Sequence, residues 1–134
     1  MKRFVPLLFL TLLTIISDGC KKDPEPIEIT GYQQYGEPFS NVPVIEDIIM
    51  YEVNLRAFSQ DGNLAGVQQK LDHLASLGVN VIWLMPIQTN GGPLNSPYCI
   101  SNFYKVDEEY GTLADLRTFV AEAHNRNMAV ILDW

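Results

Sequence analysis

The run Val79-Asn80-Val81-Ile82-Trp83-Leu84-Met85-Pro86 constrains this chain more than any other stretch. It is mostly apolar and β-favouring, and it is continuous rather than alternating, as in a strand buried on both faces of a parallel sheet. Leu64, Val67, Leu71, Leu74 and Leu77 precede it at helical spacing, with Gly78 as the stop. Ile48 to Val53 and Met128 to Leu132 are further apolar runs, the second preceded by an amphipathic segment from Leu113 to Arg126. The order strand, helix, strand, helix, strand predicts strands near 48–54, 79–84 and 128–133. Helices are expected over 64–77 and 113–126, with the strands parallel and adjacent and the crossovers right-handed. A doubly wound nucleotide-binding domain would show a glycine-rich loop after its first strand, where this chain has Asn54-Leu55-Arg56.

Local signals punctuate the pattern. Asn63 is a candidate N-cap for the first helix, and Gly66 weakens that helix's first turn slightly. Thr112-Leu113-Ala114-Asp115 resembles a capping box with a short acid at its fourth position, and Asn127 suits a C-terminal stop. From Ile87 to Gly111 periodicity is lost. Residues 89–97 are rich in breakers, and Tyr98, Phe103, Tyr104 and Tyr110 then follow in close succession. A connection this long without secondary structure is uncommon unless it forms a lid or binding loop, and it lies after the carboxyl end of a strand, the functional edge of such sheets.

Polar positions at strand ends are the natural candidates for chemistry. Asp133 would project beyond the third strand, although on spacing alone it reads more readily as an acid that caps a loop. Asn54 and Arg56 belong to the same rim, and Tyr98 could stack its ring on a flat apolar face such as that of a sugar. His73 and His124 read as helix-surface residues, far apart and without a set of neighbouring ligands, so no metal site is expected. Gly91-Gly92-Pro93 is no phosphate cradle, and Glu108 and Glu109 are expected to face solvent.

The first residues read as an export signal. Lys2 and Arg3 precede the apolar stretch Phe4 to Ile16, which contains Pro6 and is too short for a comfortable membrane span. Ser17-Asp18-Gly19-Cys20 then resembles a bacterial lipoprotein cleavage and lipidation site, with Ser17 and Asp18 departing from the usual pattern. Residues 1–19 are therefore expected to be a lipoprotein-type signal peptide and Cys20 the lipidated residue. Residues 20–43, with Pro24, Pro26, Pro38 and Pro43, are expected to form a flexible tether, within which Ile27 to Thr30 could pair locally. The body then begins near Val44. This places the protein in a bacterial cell envelope, anchored to the membrane through Cys20, at the surface or facing the periplasm. Two cysteines exclude a disulfide framework, and Cys99 reads as a packed thiol. Without residues 1–19 the net charge is −8 with no basic stripe, which argues against a nucleic-acid partner.

Four strings, taken in order, carry a family resemblance. Ile49-Met50-Tyr51-Glu52-Val53-Asn54-Leu55-Arg56-Ala57-Phe58 and Gly78 through Ile87 resemble the start of the α-amylase family of glycoside hydrolases. Ser96-Pro97-Tyr98 with Asn102-Phe103-Tyr104, continued by Tyr110 through Leu116, is similar to that family's loop and helix after strand two. Val130-Ile131-Leu132-Asp133 is similar to the beginning of its first conserved region.

The resemblance implies an α/β fold that is the first β-α-β-α-β portion of a (β/α)8 TIM barrel. On the same resemblance, residues 44–134 are expected to be the N-terminal part of the catalytic domain, truncated after strand three. It implies that Tyr98 stacks under the sugar on the non-reducing side of the cleaved bond, and that Asp133 supports the same subsite. It also implies retaining hydrolysis of internal α-1,4-glucosidic bonds in starch, glycogen or maltodextrins. The alternatives are a transglycosylating branching or trehalose-forming relative and a non-catalytic glucan-binding protein. Asn102 stands in place of the family's common aspartate, and Ser96 where many starch-cleaving members have histidine. The catalytic carboxylates would lie beyond Trp134, so this segment is expected to be inactive alone. An asparagine that often helps bind calcium in the family would also follow, so no cofactor is expected in this segment while calcium is compatible with the full-length protein.

Overall fold

A computed structural model describes residues 35–134; the signal, Cys20 and the Ile27 to Thr30 stretch lie outside the described residues. Three parallel strands form the frame: β1 (Met50–Val53), β2 (Val81–Leu84) and β5 (Ala129–Leu132), in the order β1-β2-β5. The register places Val53, Leu84 and Leu132 level, so the carboxyl ends of all three strands meet at one rim. Val81, Ile82 and Leu84 of the central strand are buried, which is why its sequence reads as an unbroken apolar run. The outer strands are more open, and only Val53 of β1 is buried. This parallel α/β unit is the architecture expected for part of a (β/α)8 barrel.

The helices cover the sheet as their apolar stripes require. Helix α4 (Leu113–His124) buries Phe119 and Ala123 and begins with the expected capping box. Asp115 N–H donates to Thr112 Oγ1 at 3.2 Å, and Thr112 N–H donates back to Asp115 Oδ2 at 2.7 Å. Asn127, at φ 58, ends the segment that feeds β5. Leu64, Val67, Leu71 and Leu74 are all buried, and burial of such side chains contributes roughly 1.5–3 kcal/mol each.

The structure departs from the sequence reading in several places. The expected helix over 64–77 is divided into α2 (Leu64–Gln68) and α3 (Leu71–Ser76). At the break Lys70 N–H bonds Val67 O, and Lys70 has ψ 4, outside regular α geometry. Leu77 is 54% exposed, and Val79, after the turn at Gly78 (φ 81), enters the core instead. The strands are shorter than expected, β1 being preceded by a 3-10 turn over Ile45–Asp47. Leu55–Phe58 forms a single helical turn, α1, capped by Asn54, whose Oδ1 accepts from Arg56 N–H at 3.1 Å. The long connection after β2 contains a small antiparallel pair, β3 (Gln88–Thr89) and β4 (Asn102–Val106).

The folded body also reaches back beyond Val44, into the stretch expected to be tether. The Tyr35 ring receives the Arg117 guanidinium at 4.0 Å, and Phe39 stacks on His124 with centroids 4.4 Å apart. Asn41 Nδ2 donates to Asn127 Oδ1 at 2.9 Å. Aromatic and hydrogen-bond contacts therefore seat residues 35–41 on α4 and the turn after it. No helix among the described residues is long and apolar enough to cross a membrane.

Candidate functional site

At the rim where the parallel strands end, Asp133 follows β5 and Asn54 follows β1. The Asp133 N–H extends the ladder by donating to Leu84 O at 2.9 Å. Its carboxylate is fixed from two directions: Oδ1 accepts from Trp134 N–H at 2.8 Å, and Oδ2 accepts from the Tyr98 hydroxyl at 2.8 Å. Tyr98 comes from the connection between β3 and β4, 35 residues away in sequence. The hydroxyl bond to Asp133, followed by desolvation and the field of that carboxylate, holds the Tyr98 phenol above its ordinary pKa of 10.0. The side chain is thus a protonated donor, and Tyr98 remains 47% exposed. A ring tethered at its hydroxyl and open to solvent can stack on an apolar ligand face while the carboxylate remains beside it to accept a hydroxyl hydrogen bond.

The sequence reading paired these two residues by resemblance, and the fold brings them together. It did not identify what holds Tyr98 in place. Ser96 Oγ accepts from Tyr98 N–H at 3.3 Å, and Cys99 N–H closes onto Ser96 O at 2.9 Å, so a tight turn presents the ring. Arg56, read only as a rim residue, reaches the same connection, donating from Nη1 to Asn95 O at 2.7 Å. Its Nε and Nη2 grip Glu109 at 2.8–3.2 Å. Glu109 lies at the exposed surface, as expected, but its carboxylate is also held in an ion pair that the sequence reading did not foresee. Glu108 instead meets Lys105 at 2.8 Å on an exposed surface. Asn102 stands at the start of β4, where its Oδ1 accepts from Tyr104 N–H at 2.9 Å. His73 is exposed on α3, whereas His124 is partly covered by Phe39. Among the described residues, no three His, Cys, Asp or Glu gather in a group that could hold a metal ion.

The family profile described as alpha amylase, catalytic domain, matches residues 33–134. The chain belongs to the alpha-amylase catalytic-domain family. It is 36% identical over 94 residues to an alpha-glucosidase of Apis mellifera, covering 66% of this chain and 16% of that protein. It is 32% identical over 148 residues to alpha-amylase SusG of Bacteroides thetaiotaomicron, covering 98% of this chain and 21% of SusG. Among solved structures, an alpha-amylase from Lactobacillus plantarum superposes with a TM-score of 0.63 at 39% identity, over 65% of this chain and 22% of that one. The chain thus spans about a sixth to a fifth of the length of these relatives. The family assignment accounts for the parallel sheet as part of a barrel whose site is built at the carboxyl ends of its strands.

Proposed function

We propose that the protein carrying this chain hydrolyses internal α-1,4-glucosidic bonds of starch, glycogen or maltodextrins with retention of configuration. Tyr98 and Asp133 form one wall of a sugar subsite in this reading. The observation that supports it is the Tyr98 hydroxyl held on Asp133 at the functional rim, with the ring exposed. Retention requires a nucleophilic carboxylate and an acid–base carboxylate roughly 5 Å apart. The resemblance assigns these to strands four and five, and the described sheet holds three parallel strands. Residues 20–134 alone should therefore release no reducing sugar.

The SusG match, which runs through almost the whole chain, supports action on α-glucosidic bonds in general; the choice of α-1,4 bonds is this reading's own and rests on the family strings. The alpha-glucosidase match lies in the same family and leaves the bond preference open. The discriminating experiment incubates the full-length protein with soluble starch and maltodextrins and follows chain length and the anomer of the first products. Rapid shortening of long chains with α-anomeric products is expected. Transfer products would favour the branching or trehalose-forming reading, and glucan binding without bond cleavage would overturn the enzymatic one.

We also propose that Cys20 is lipidated and holds the protein to a bacterial envelope membrane. The sequence before Cys20 supports this, and mass spectrometry of the mature amino terminus tests it. An intact Met1, or cleavage beyond Cys20, would contradict it.

A further inference from the structure

The guanidinium of Arg56 joins three parts of the rim. It leaves α1 directly after β1, grips both oxygens of Glu109 beyond β4, and donates to the Asn95 carbonyl immediately before the Ser96–Cys99 turn. It also lies 5.7 Å from the centroid of the buried Tyr110 ring. The base of this arm is rigid, because Asn54 caps α1 and Leu55 is buried. The arm therefore ties the loop that carries Tyr98 to the strand frame that carries Asp133.

We propose that Arg56 is a positioning residue, setting the place of the Tyr98 ring against the Asp133 carboxylate through its bond to Asn95 O and its grip on Glu109. The proposal rests on the reading of Tyr98 and Asp133 as a sugar subsite. Two observations favour positioning over a simple surface ion pair. Arg56 and Glu109 side chains are only 23% and 33% exposed, so the pair is largely covered by the connection it holds rather than extended into solvent. The forked geometry also serves two acceptors from fixed directions, which the single ammonium of lysine cannot reproduce.

Arg56→Lys keeps the charge and removes the fork; Glu109→Gln weakens the same grip from the other side and serves if Arg56→Lys folds poorly. Both are made in the full-length protein, alone and with Tyr98→Ala, and assayed on maltodextrins. Arg56→Lys should lower kcat/KM about tenfold when Tyr98 is present. With Tyr98→Ala it should change kcat/KM by less than about twofold, because the two positions act through one another. Amide exchange over residues 90–99 should quicken in Arg56→Lys while that of β2 stays unchanged. Equal losses in both backgrounds, or unchanged exchange over 90–99, would overturn the positioning role. Wild-type kinetics in Tyr98→Ala itself would instead overturn the subsite reading. Loss of activity in Tyr98→Ala with wild-type kinetics and exchange in Arg56→Lys would overturn the positioning role alone.

Discussion

Replacing Gly66 by alanine should destabilise this fold, against the usual direction for a helical glycine. An exposed glycine inside a helix costs about 1 kcal/mol relative to alanine, so propensity alone favours Gly66→Ala. The structure reverses that sign. Gly66 is buried on α2, and a Cβ built there would overlap Ser59 Oγ and lie 2.9 Å from Ser59 Cβ and 3.2 Å from Asp61 Cβ. Rotation of the Ser59 hydroxyl could relieve the first overlap but not the approach of the two Cβ atoms. The loop over 59–61 would have to lift from α2, and overpacking of this kind costs about 1–3 kcal/mol. The net expectation is a loss of up to about 2 kcal/mol after the propensity gain is deducted. Ser59→Gly, which removes the obstructing side chain, should recover most of that loss in the double variant. Thermal melts of the full-length protein and its Gly66→Ala, Ser59→Gly and double variants provide the test. A higher Tm in Gly66→Ala, or no coupling between the two sites, would refute the reasoning.

Phe119 is fully buried between α4 and the sheet, and Phe119→Ala should cost about 3–5 kcal/mol, read as a large fall in Tm. Burial holds His124 below its ordinary pKa of 6.5, so the folded chain favours the neutral ring and the unfolded chain takes up the proton first as pH falls. The stabilisation is complete above the ordinary value and is lost as pH falls through the folded value. The fall in Tm between about pH 7.5 and about pH 5 should therefore be smaller in His124→Gln than in the wild type; an equal fall would contradict this account of His124 burial.

The frame was legible because its signals are local or strongly periodic. Val81 to Leu84 reads as a buried strand from four consecutive residues, and Thr112 and Asp115 form their box within one turn. Asn127 occupies left-handed space as a chain stop should. What escaped has no such period. A single turn such as Leu55–Phe58 is shorter than any helical repeat that could announce it, and β3 and β4 exist through their pairing with each other. The break at Lys70 interrupts an apolar stripe whose spacing gives no hint of it, and Gly66 registered only as a weak helix former. Its purpose, close approach of Ser59, is a tertiary fact. The same holds for the site. Tyr98 and Asp133 were reached through family strings, whereas Arg56 and Glu109 are 53 residues apart and carry no mark in sequence of their union.

The central claim is that Tyr98, held by its hydroxyl on Asp133, forms a wall of the sugar site. Its most direct test is kcat/KM of the full-length protein on maltodextrins, comparing wild type with Tyr98→Ala while confirming equal Tm. Loss of a stacking face that also stabilises the transition state should lower kcat/KM by about ten- to a hundredfold, with kcat sharing in the fall. Unchanged kinetics in a folded Tyr98→Ala protein would remove this loop from the site.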